Sequence, residues 1–320
     1  MHNHARIAGN WFRAAEATGD DMGIRYGRGE FGSDEIEWSW IPHADCDGIG
    51  GFARLLRRHG SELSRLPATS HPTRSIFGPL WKLWRNTGTT PDCAGRNDWN
   101  LQQETRTNRP TAVAWKVFSE ATTTRIRQHC RSHALSVNSY LLKHLDQAVR
   151  PSIHKPEARI PWMIPVNLRG SVRHADDTAN HVSYVTPRIH ATDTASTIHH
   201  QIHQRLKHGE HRANYLLMIG LGKVLSLESM IQLIHRDRQK PAGNIGAFSN
   251  LGNWQSGTSV DRRHFWLFCP PVAQGQLLGA GCVTYQGRLS LTLQTQASLP
   301  AKPALAKQWM QRWSNAVEAT

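Results

Sequence analysis

The residues with the clearest chemical potential are His43, Asp47 and Gly48, which stand close together within residues 41–48. Acidic and apolar residues alternate over 35–40, which predicts a strand with one buried face, and the residues after Gly48 favour a helix. An imidazole at the end of a strand can take up or release a proton near neutral pH. Gly48 lets the chain double back without a Cβ clash, so the Asp47 carboxylate can turn inward. An ordinary β-turn without catalytic function is the alternative interpretation.

The elements that position this motif are weakly marked in the first third of the chain. Residues 1–34 show one helix-like piece at 11–17, and an amphipathic helix is predicted over 50–65. A short helix is predicted over 76–84. The polar, proline-containing stretch that follows predicts a linker. We therefore expect a partial N-terminal lobe over 1–85, a linker or crossover over 86–110 and a C-terminal lobe over 111–320.

The pattern becomes regular in the C-terminal part. Helices are predicted over 120–132 and from a Ser136 cap to Val149, and an amphipathic helix is predicted over 302–319. Apolar spacing over 215–235 predicts a buried helix. The remaining predicted strands cover 111–119, 160–168, 180–189, 265–271, 279–286 and 288–296. The last three are expected to be antiparallel, with a hairpin turn at Gln286 and Gly287.

Composition excludes several classes of function. The 320 residues are 39% hydrophobic, and no apolar run approaches the roughly 20 residues of a membrane-spanning helix. The N-terminus lacks the apolar stretch of a secretory signal, so a cytoplasmic location is expected. Five cysteines without a Cys-x-x-Cys pair indicate neither a disulfide framework nor a zinc site.

The net charge of +14 indicates an acidic partner or a solvated basic surface. Arginines and lysines are scattered, without the interleaved aromatic residues of a nucleic-acid-binding module, so no specific nucleic-acid partner is expected. His199 and His203 stand four residues apart in a predicted helix over 196–212, a spacing that also suits zinc. Because no third ligand is near in the sequence, no metal site is predicted.

Three further stretches occur in an order that matches a known family. Residues 134–142 read as a capped helix, residues 164–170 contain Pro-Val-Asn-Leu-Arg, and residues 249–252 are Ser-Asn-Leu-Gly. Together with the His-x-x-x-Asp-Gly motif, they resemble the chloramphenicol acetyltransferase-like superfamily. This superfamily includes condensation domains, alcohol acyltransferases and wax ester synthases. The resemblance implies a two-lobed α/β fold with mixed sheets flanked by helices. Such proteins carry a longer region before the histidine, so an abbreviated first lobe, a misplaced start or a fragment is expected.

The resemblance also implies a function and a set of site residues. It implies transfer of an acyl group from a coenzyme A or carrier-protein thioester to a small-molecule hydroxyl or amine. No cofactor beyond that co-substrate is expected, and a carrier protein is a possible partner. His43 would be the general base, while Asp47, followed by Gly48, would form a structural salt bridge with Arg169. The oxyanion or substrate candidates are Ser249, Asn250 and Asn167, although Ser-Asn is also common in ordinary turns.

Two other functions fit the same sequence. One is a catalytically silent, condensation-like module that binds a carrier protein without turning over a substrate. The other is a basic protein that binds nucleic acid, for which steep salt dependence would be the signature. Loss of thioester consumption on mutation of His43, with folding intact, would distinguish the acyltransferase from both.

Overall fold

The computed structural model describes residues 3–61, 63, 66–69, 93–98, 113–170, 177–240, 243–255, 263–296 and 302–319. In chain order, the helices and strands are α1 (Asn3–Ala17), β1 (Gly23–Glu30), β2 (Ile36–Pro42), α2 (Gly48–Arg58), β3 (Val113–Val117), α3 (Glu120–Ser132), α4 (Val137–Val149), β4 (Ile160–Pro161), β5 (Ile164–Asn167), β6 (Val182–Val185), β7 (Arg188–Ile189), α5 (Ala195–Lys207), α6 (Glu210–Val224), α7 (Leu227–Gln239), β8 (Gly246–Trp254), β9 (His264–Cys269), β10 (Leu278–Tyr285), β11 (Arg288–Thr295) and α8 (Lys302–Glu318). None of the helices in these ranges has the length and apolarity that crossing a membrane requires.

The largest sheet has four strands in the order β3-β11-β10-β8. Strands β10 and β11 form the predicted antiparallel hairpin, while β8 runs parallel to β10. Gln286 and Gly287 both have positive φ, at 51° and 78°, as a tight hairpin turn of the primed type requires. The prediction of three antiparallel strands is wrong in one respect. Strand β9 pairs with β1 in a different sheet.

The second sheet has three strands in the order β2-β1-β9, with both neighbours antiparallel to β1. The sequence did not indicate β1, because glycine and arginine alternate along it instead of β-branched residues. The predicted helix at 11–17 is the end of a longer helix, α1. Residues near the N-terminus therefore supply the central strand of the sheet that leads to His43.

Strand β2 lacks the buried face that its alternating pattern predicted. None of its side chains is buried, and Trp38 and Trp40 are 40% and 54% exposed. The physical reason is that, among the described elements, β1 is the one with which β2 makes extensive contact. Alternation reports two different faces of a strand, but it does not require that another element packs on one of them.

The main hydrophobic core lies between the four-stranded sheet and helices α4 and α8. It includes Leu141 of α4, Phe248 of β8, Leu291 of β11, and Trp309 and Trp313 of α8. The predicted helices α3, α4 and α8 are confirmed, and Ser136 caps α4 by accepting a hydrogen bond from the backbone of Ser139 at 3.1 Å. A second, aromatic cluster surrounds the ring of Phe52 on α2.

Two predicted strands are each divided in two. The strand over 160–168 is split into β4 and β5, and the strand over 180–189 is split into β6 and β7. These short strands form separate pairs, β4 with β7 and β5 with β6. At the first break, the Met163 backbone donates to Gly246 of β8 at 3.0 Å, and at the second, Pro187 has no N–H to donate.

The helical region after residue 195 also differs from the expectation. The helix predicted over 196–212 ends at Lys207, because Gly209 adopts a φ of +77° before α6 begins. The helix predicted over 215–235 is broken by Ser226, the N-cap of α7. It is not uniformly buried, because apolar spacing predicts a helix but not the number of its covered faces. The exposed apolar side chains there are Leu216, Leu217, Val224, Leu227 and Leu233.

The predicted helix over 76–84 lies outside the described residues. Of the linker predicted over 86–110, only 93–98 is described, and it contains a single turn of 3₁₀ helix at Arg96–Asp98. The domain boundaries at 85 and 110 therefore stay predictions.

We predict that Gly50→Ala destabilises the protein although alanine is the better helix former. A Cβ on Gly50 would lie 2.0 Å from the backbone oxygen of Thr178, where α2 meets the segment before β6. The expected cost is about 1–3 kcal/mol of unfolding free energy. Gly220→Ala is the matched control, because its Cβ meets nothing within 4 Å and should add about 0.5–1 kcal/mol. Urea unfolding of both variants checks this, and equal effects would contradict the close approach at Gly50.

Candidate active site

His43 lies immediately after β2 and is held through both its backbone and its ring. The backbone N–H of His43 donates to the Met22 carbonyl at 3.0 Å. The ring of Phe12 on α1 stacks on it, with 3.9 Å between the centroids and 9° between the planes. The side-chain nitrogen of Asn180 lies 3.0 Å from Nδ1 and 2.9 Å from the His43 carbonyl oxygen. These contacts leave the ring little freedom to turn.

Burial sets the protonation state of this ring. It lowers the pKa of His43 below the ordinary value of 6.5, because the charged form loses its hydration. The carbonyls of His43 and Cys46 and the Asp47 carboxylate act in the opposite direction, but more weakly. The imidazole is therefore neutral at neutral pH, which is the form able to accept a proton.

Asp47 is a buried carboxylate whose acceptor positions are occupied. It caps α2 by accepting from the Gly50 backbone at 2.8 Å, and it accepts from the His181 backbone at 2.8 Å. Arg169 donates to it through both terminal nitrogens, at 2.8 Å and 3.0 Å. Four donors use the roughly four lone-pair positions of a carboxylate. Asp47 therefore holds structure and has no free acceptor to offer a substrate.

Arg169 follows β5 and fastens the next segment of chain to the same carboxylate. It donates to the backbone oxygen of Asp177 at 2.7 Å and to that of Ala179 at 3.0 Å. Arg169 thus joins residues 177–181 to Asp47 at the N-terminus of α2, which is 122 positions away from Arg169 in the sequence. Both side chains are almost completely buried, so little solvent screens the pair.

A cavity of about 240 Å³ lies beside His43. Its lining is mostly apolar and comes from both sheets, the short strands and helices α1 and α6. Its apolar residues include Phe12, Met22, Ile24, Met163, Val182 and Phe268. His43 and Ser249 also line it. A mostly apolar cavity with polar groups such as His43 and Ser249 is suited to an apolar ligand whose reactive end is polar.

The oxyanion candidates differ in what their side chains already do. Asn250 donates to Asn138 at 2.5 Å and accepts from the Gly252 backbone at 2.8 Å. Asn167 donates to the Pro67 carbonyl at 2.7 Å and accepts from the Arg169 backbone at 3.0 Å. Ser249 is buried against the cavity, and its hydroxyl makes no hydrogen bond within the described ranges. Of the three, Ser249 is the one free to donate to a ligand.

The segment 249–252 is not the turn that its composition suggested. Ser249 and Asn250 lie inside β8, and the register with β10 shifts between Cys282 and Thr284. Gly252 has a φ of +85° at this irregularity, a conformation that glycine adopts without strain. The bulge keeps the strand continuous past the cavity.

Gly48 begins α2, and its carbonyl accepts a hydrogen bond from the Tyr26 hydroxyl at 2.9 Å.

Sequence reasoning missed three residues that surround His43 and Asp47. Phe12 lies in a helix that was only partly predicted, while Asn180 and His181 were read merely as the start of a strand. A usable signal was the run Ala179-Asn180, which resembles the Gly-Asn start of a strand in the same superfamily. His181 acts through its backbone N–H, which no residue type reveals.

The other reactive groups in the described ranges do not form a second centre. Burial raises the pKa of the Cys46 thiol to about 12, so it is a poor nucleophile at neutral pH. His199 and His203 have their rings 4.2 Å apart, and Nδ1 of His199 accepts from the Ser136 backbone at 3.2 Å. Among the described residues, no group of three or more histidine, cysteine or acidic side chains is placed to hold a metal ion.

We predict that Arg169→Ala costs about 3–5 kcal/mol of unfolding free energy, because it leaves the Asp47 carboxylate buried and unpaired. Arg57→Ala is the matched control. Arg57 pairs with Asp177 at 3.3 Å on the surface, where the expected cost is below about 1 kcal/mol. The measurement is urea unfolding at neutral pH. Similar costs for both variants would show that the buried pair does not hold the fold.

No protein-family model matches the sequence, and no curated protein matches it. Solved structures do. TRI3 trichothecene 15-O-acetyltransferase from Fusarium sporotrichioides superposes with a TM-score of 0.56 at 11% identity, covering 92% of this chain and 70% of its own. Polyketide synthase associated protein 5 from Mycobacterium tuberculosis has a TM-score of 0.50 at 14% identity, covering 87% and 72%.

The starter condensation domain of rhizomide synthetase, solved with C8-CoA and Leu-SNAC, has a TM-score of 0.51 at 9% identity. The matched region covers 88% of this chain and 66% of that one. At such identities the likeness concerns the fold alone, and it agrees with the fold that the motifs indicated. The chain therefore has the mixed α/β fold that this condensation domain and the O-acetyltransferase share.

Proposed function

We propose that the protein is an acyltransferase that moves an acyl group from a coenzyme A or carrier-protein thioester to a hydroxyl or amine. The observation that carries the proposal is a half-buried imidazole, His43, whose pKa is lowered by desolvation and which lines an apolar cavity. The fold supports it, because acetyltransferases and condensation domains share the same architecture. A surface histidine in a turn would have neither the burial nor the cavity.

In the proposed reaction, His43 is the general base. It removes the proton from the acceptor hydroxyl or amine as that group attacks the thioester carbonyl, and the carbonyl oxygen becomes negatively charged. In this proposal Ser249, which lines the same cavity, donates a hydrogen bond to this oxyanion. When the intermediate collapses, the C–S bond breaks and the imidazolium returns its proton to the leaving thiolate. The balance requires no metal ion or redox cofactor.

The proposed reaction has two substrates, the acyl thioester donor and the acceptor. The apolar lining of the cavity suits the acyl chain, because burial of methylene groups contributes roughly 0.8 kcal/mol each. The net charge of +14 favours the phosphates of coenzyme A or an acidic carrier protein. Either donor presents the same phosphopantetheine thioester to His43.

We predict that His43→Ala lowers kcat for thioester-dependent acyl transfer by about 10²–10⁴-fold. His133→Ala, which removes an exposed histidine remote from the cavity, is the control and should leave kcat unchanged. Release of free thiol from acyl-coenzyme A, with and without acceptor, is the measurement. Wild-type protein that binds an acyl carrier without releasing thiol would instead support a silent binding module.

The pH dependence should follow the lowered pKa of His43. Only the neutral imidazole is a base, so the rate should fall on acidification with a midpoint below 6.5 and be constant near pH 7. The measurement is kcat/KM against pH with a neutral acceptor alcohol. An acidic limb centred above 6.5 would contradict a buried general base.

The cavity volume predicts a limit on acyl chain length. A volume of about 240 Å³ is below the roughly 300–1,000 Å³ of typical small-molecule pockets. We expect acyl chains of medium length to give the highest kcat/KM, and the enlarged side chain in Ala247→Leu to shift this optimum to shorter chains. Ala247 is buried in the cavity wall. A series of acyl-coenzyme A donors tests this, and an unchanged optimum would place the acyl chain elsewhere.

A further inference from the structure

Asn180 lies between the Asp47–Arg169 ion pair and His43. On one side of it, the Ala179 carbonyl accepts from Arg169 at 3.0 Å, and on the other, the His181 backbone donates to Asp47 at 2.8 Å. The residues before and after Asn180 are therefore each hydrogen-bonded to one member of the ion pair, which fixes the backbone between them. Asn180 itself is 2% exposed.

The side chain of Asn180 reaches His43 from this fixed backbone. Its Nδ2 donates to the His43 carbonyl at 2.9 Å and lies 3.0 Å from the ring nitrogen Nδ1. The two residues are 137 positions apart in the sequence, so the contact depends on the tertiary fold. The amide oxygen, Oδ1, is buried and has no hydrogen-bond partner in the described part of the chain.

The orientation of this amide has a chemical consequence for the ring. With Nδ2 facing it, Nδ1 accepts a hydrogen bond, so the neutral ring carries its proton on Nε2. A half-turn of the amide brings Oδ1 to the ring instead. Nδ1–H then donates to Oδ1, and Nε2 has the lone pair that a general base needs. This rotation breaks the hydrogen bond from Nδ2 to the His43 carbonyl. In exchange, Oδ1 of Asn180 gains Nδ1–H as a donor.

We propose that Asn180 is a positioning residue for His43, and that its amide selects which ring nitrogen carries the proton. The catalytic meaning of this inference rests on the proposed role of His43 as general base. The ion pair fixes the backbone of residues 179–181, Asn180 transmits that position to the imidazole, and Phe12 covers one face of the ring. An apolar side chain at position 180 would leave the ring without its lateral contact.

Nitrogen NMR of the imidazole tests the inference without any assay of activity. The protein is labelled with ¹⁵N-histidine, and the His43 signals are identified by their loss in His43→Gln. In Asn180→Ala, the two ring ¹⁵N shifts should move toward those of a mixture of tautomers. The titration midpoint should rise toward 6.5, because a donor to Nδ1 is lost and water enters the space.

Asn180→Asp keeps the shape of the side chain and reverses its effect on the ring. A carboxylate can only accept, so the neutral ring should carry its proton on Nδ1, and the titration midpoint should rise above that of the wild type. Asn214→Ala is the matched control, because Asn214 is another buried amide at the same cavity and donates to the Tyr184 carbonyl at 3.0 Å. Its His43 shifts should equal those of the wild type.

Unchanged ¹⁵N shifts and an unchanged midpoint in both folded Asn180 variants would overturn the inference. If Asn180→Ala fails to fold, Asn180→Asp decides alone. In the activity assay, Asn180→Ala and Asn180→Asp should both move the acidic limb of the rate to higher pH, in parallel with the titration midpoints of His43. A merely structural role would lower stability and leave the limb in place.

The two proposals fail in different ways. Altered His43 shifts in a protein that releases no thiol from any acyl donor would overturn the acyltransferase and leave the positioning role standing. Activity that depends on His43, with shifts insensitive to position 180, would do the reverse.

Discussion

The buried ion pair between Asp47 and Arg169 is the constraint on which the site depends. Removing two charges from water costs several kcal/mol for each ion, and attraction alone offsets this only when the geometry is good and the remaining hydrogen-bonding positions are filled. Both conditions are met here. Asp47 receives four donors, and Arg169 also donates to two backbone carbonyls. These hydrogen bonds therefore offset part of the cost of burying the pair.

The same bonds explain why distant segments converge on His43. Asp47 is at once the cap of α2 and the acceptor for the His181 backbone, so the helix start and the entry to β6 share one carboxylate. The close approach of Gly50 to Thr178 is possible only because no side chain intervenes. Once these segments are together, the Asn180 side chain lies within hydrogen-bond distance of His43. The position of the imidazole therefore depends on the ion pair between Asp47 and Arg169.

The sequence predicted the elements whose signals are local. Helices α3, α4 and α8 and the β10–β11 hairpin follow from caps, periodicity and turn residues. The pairing of strands was not predictable in this way, because the position of β9 beside β1 depends on packing between segments far apart in the chain. Strand β1 escaped prediction because its glycines and arginines do not favour a strand.

The residues of the candidate site also fall into two groups, those that the sequence could predict and those that it could not. Four side chains have recognisable chemistry, and all four line the same cavity: His43, Asp47, Arg169 and Ser249. Phe12, Asn180 and the backbone of His181 contribute by position, and a side-chain type does not report position. The order of motifs in the chain indicated the family resemblance, but it contained no information about which groups would touch the imidazole.

Burial of His43 involves a compromise between base strength and availability. A lower pKa makes the ring a weaker base, yet it ensures that the ring is unprotonated when an acceptor enters the cavity. The same apolar surroundings strengthen any hydrogen bond from Ser249 to a developing oxyanion, because the effective dielectric constant is low. The attacking alcohol or amine would gain little from a stronger base that is already protonated at neutral pH. For the proposed reaction, an apolar cavity with a fixed, neutral imidazole is therefore a better arrangement for proton abstraction than an exposed histidine of ordinary pKa.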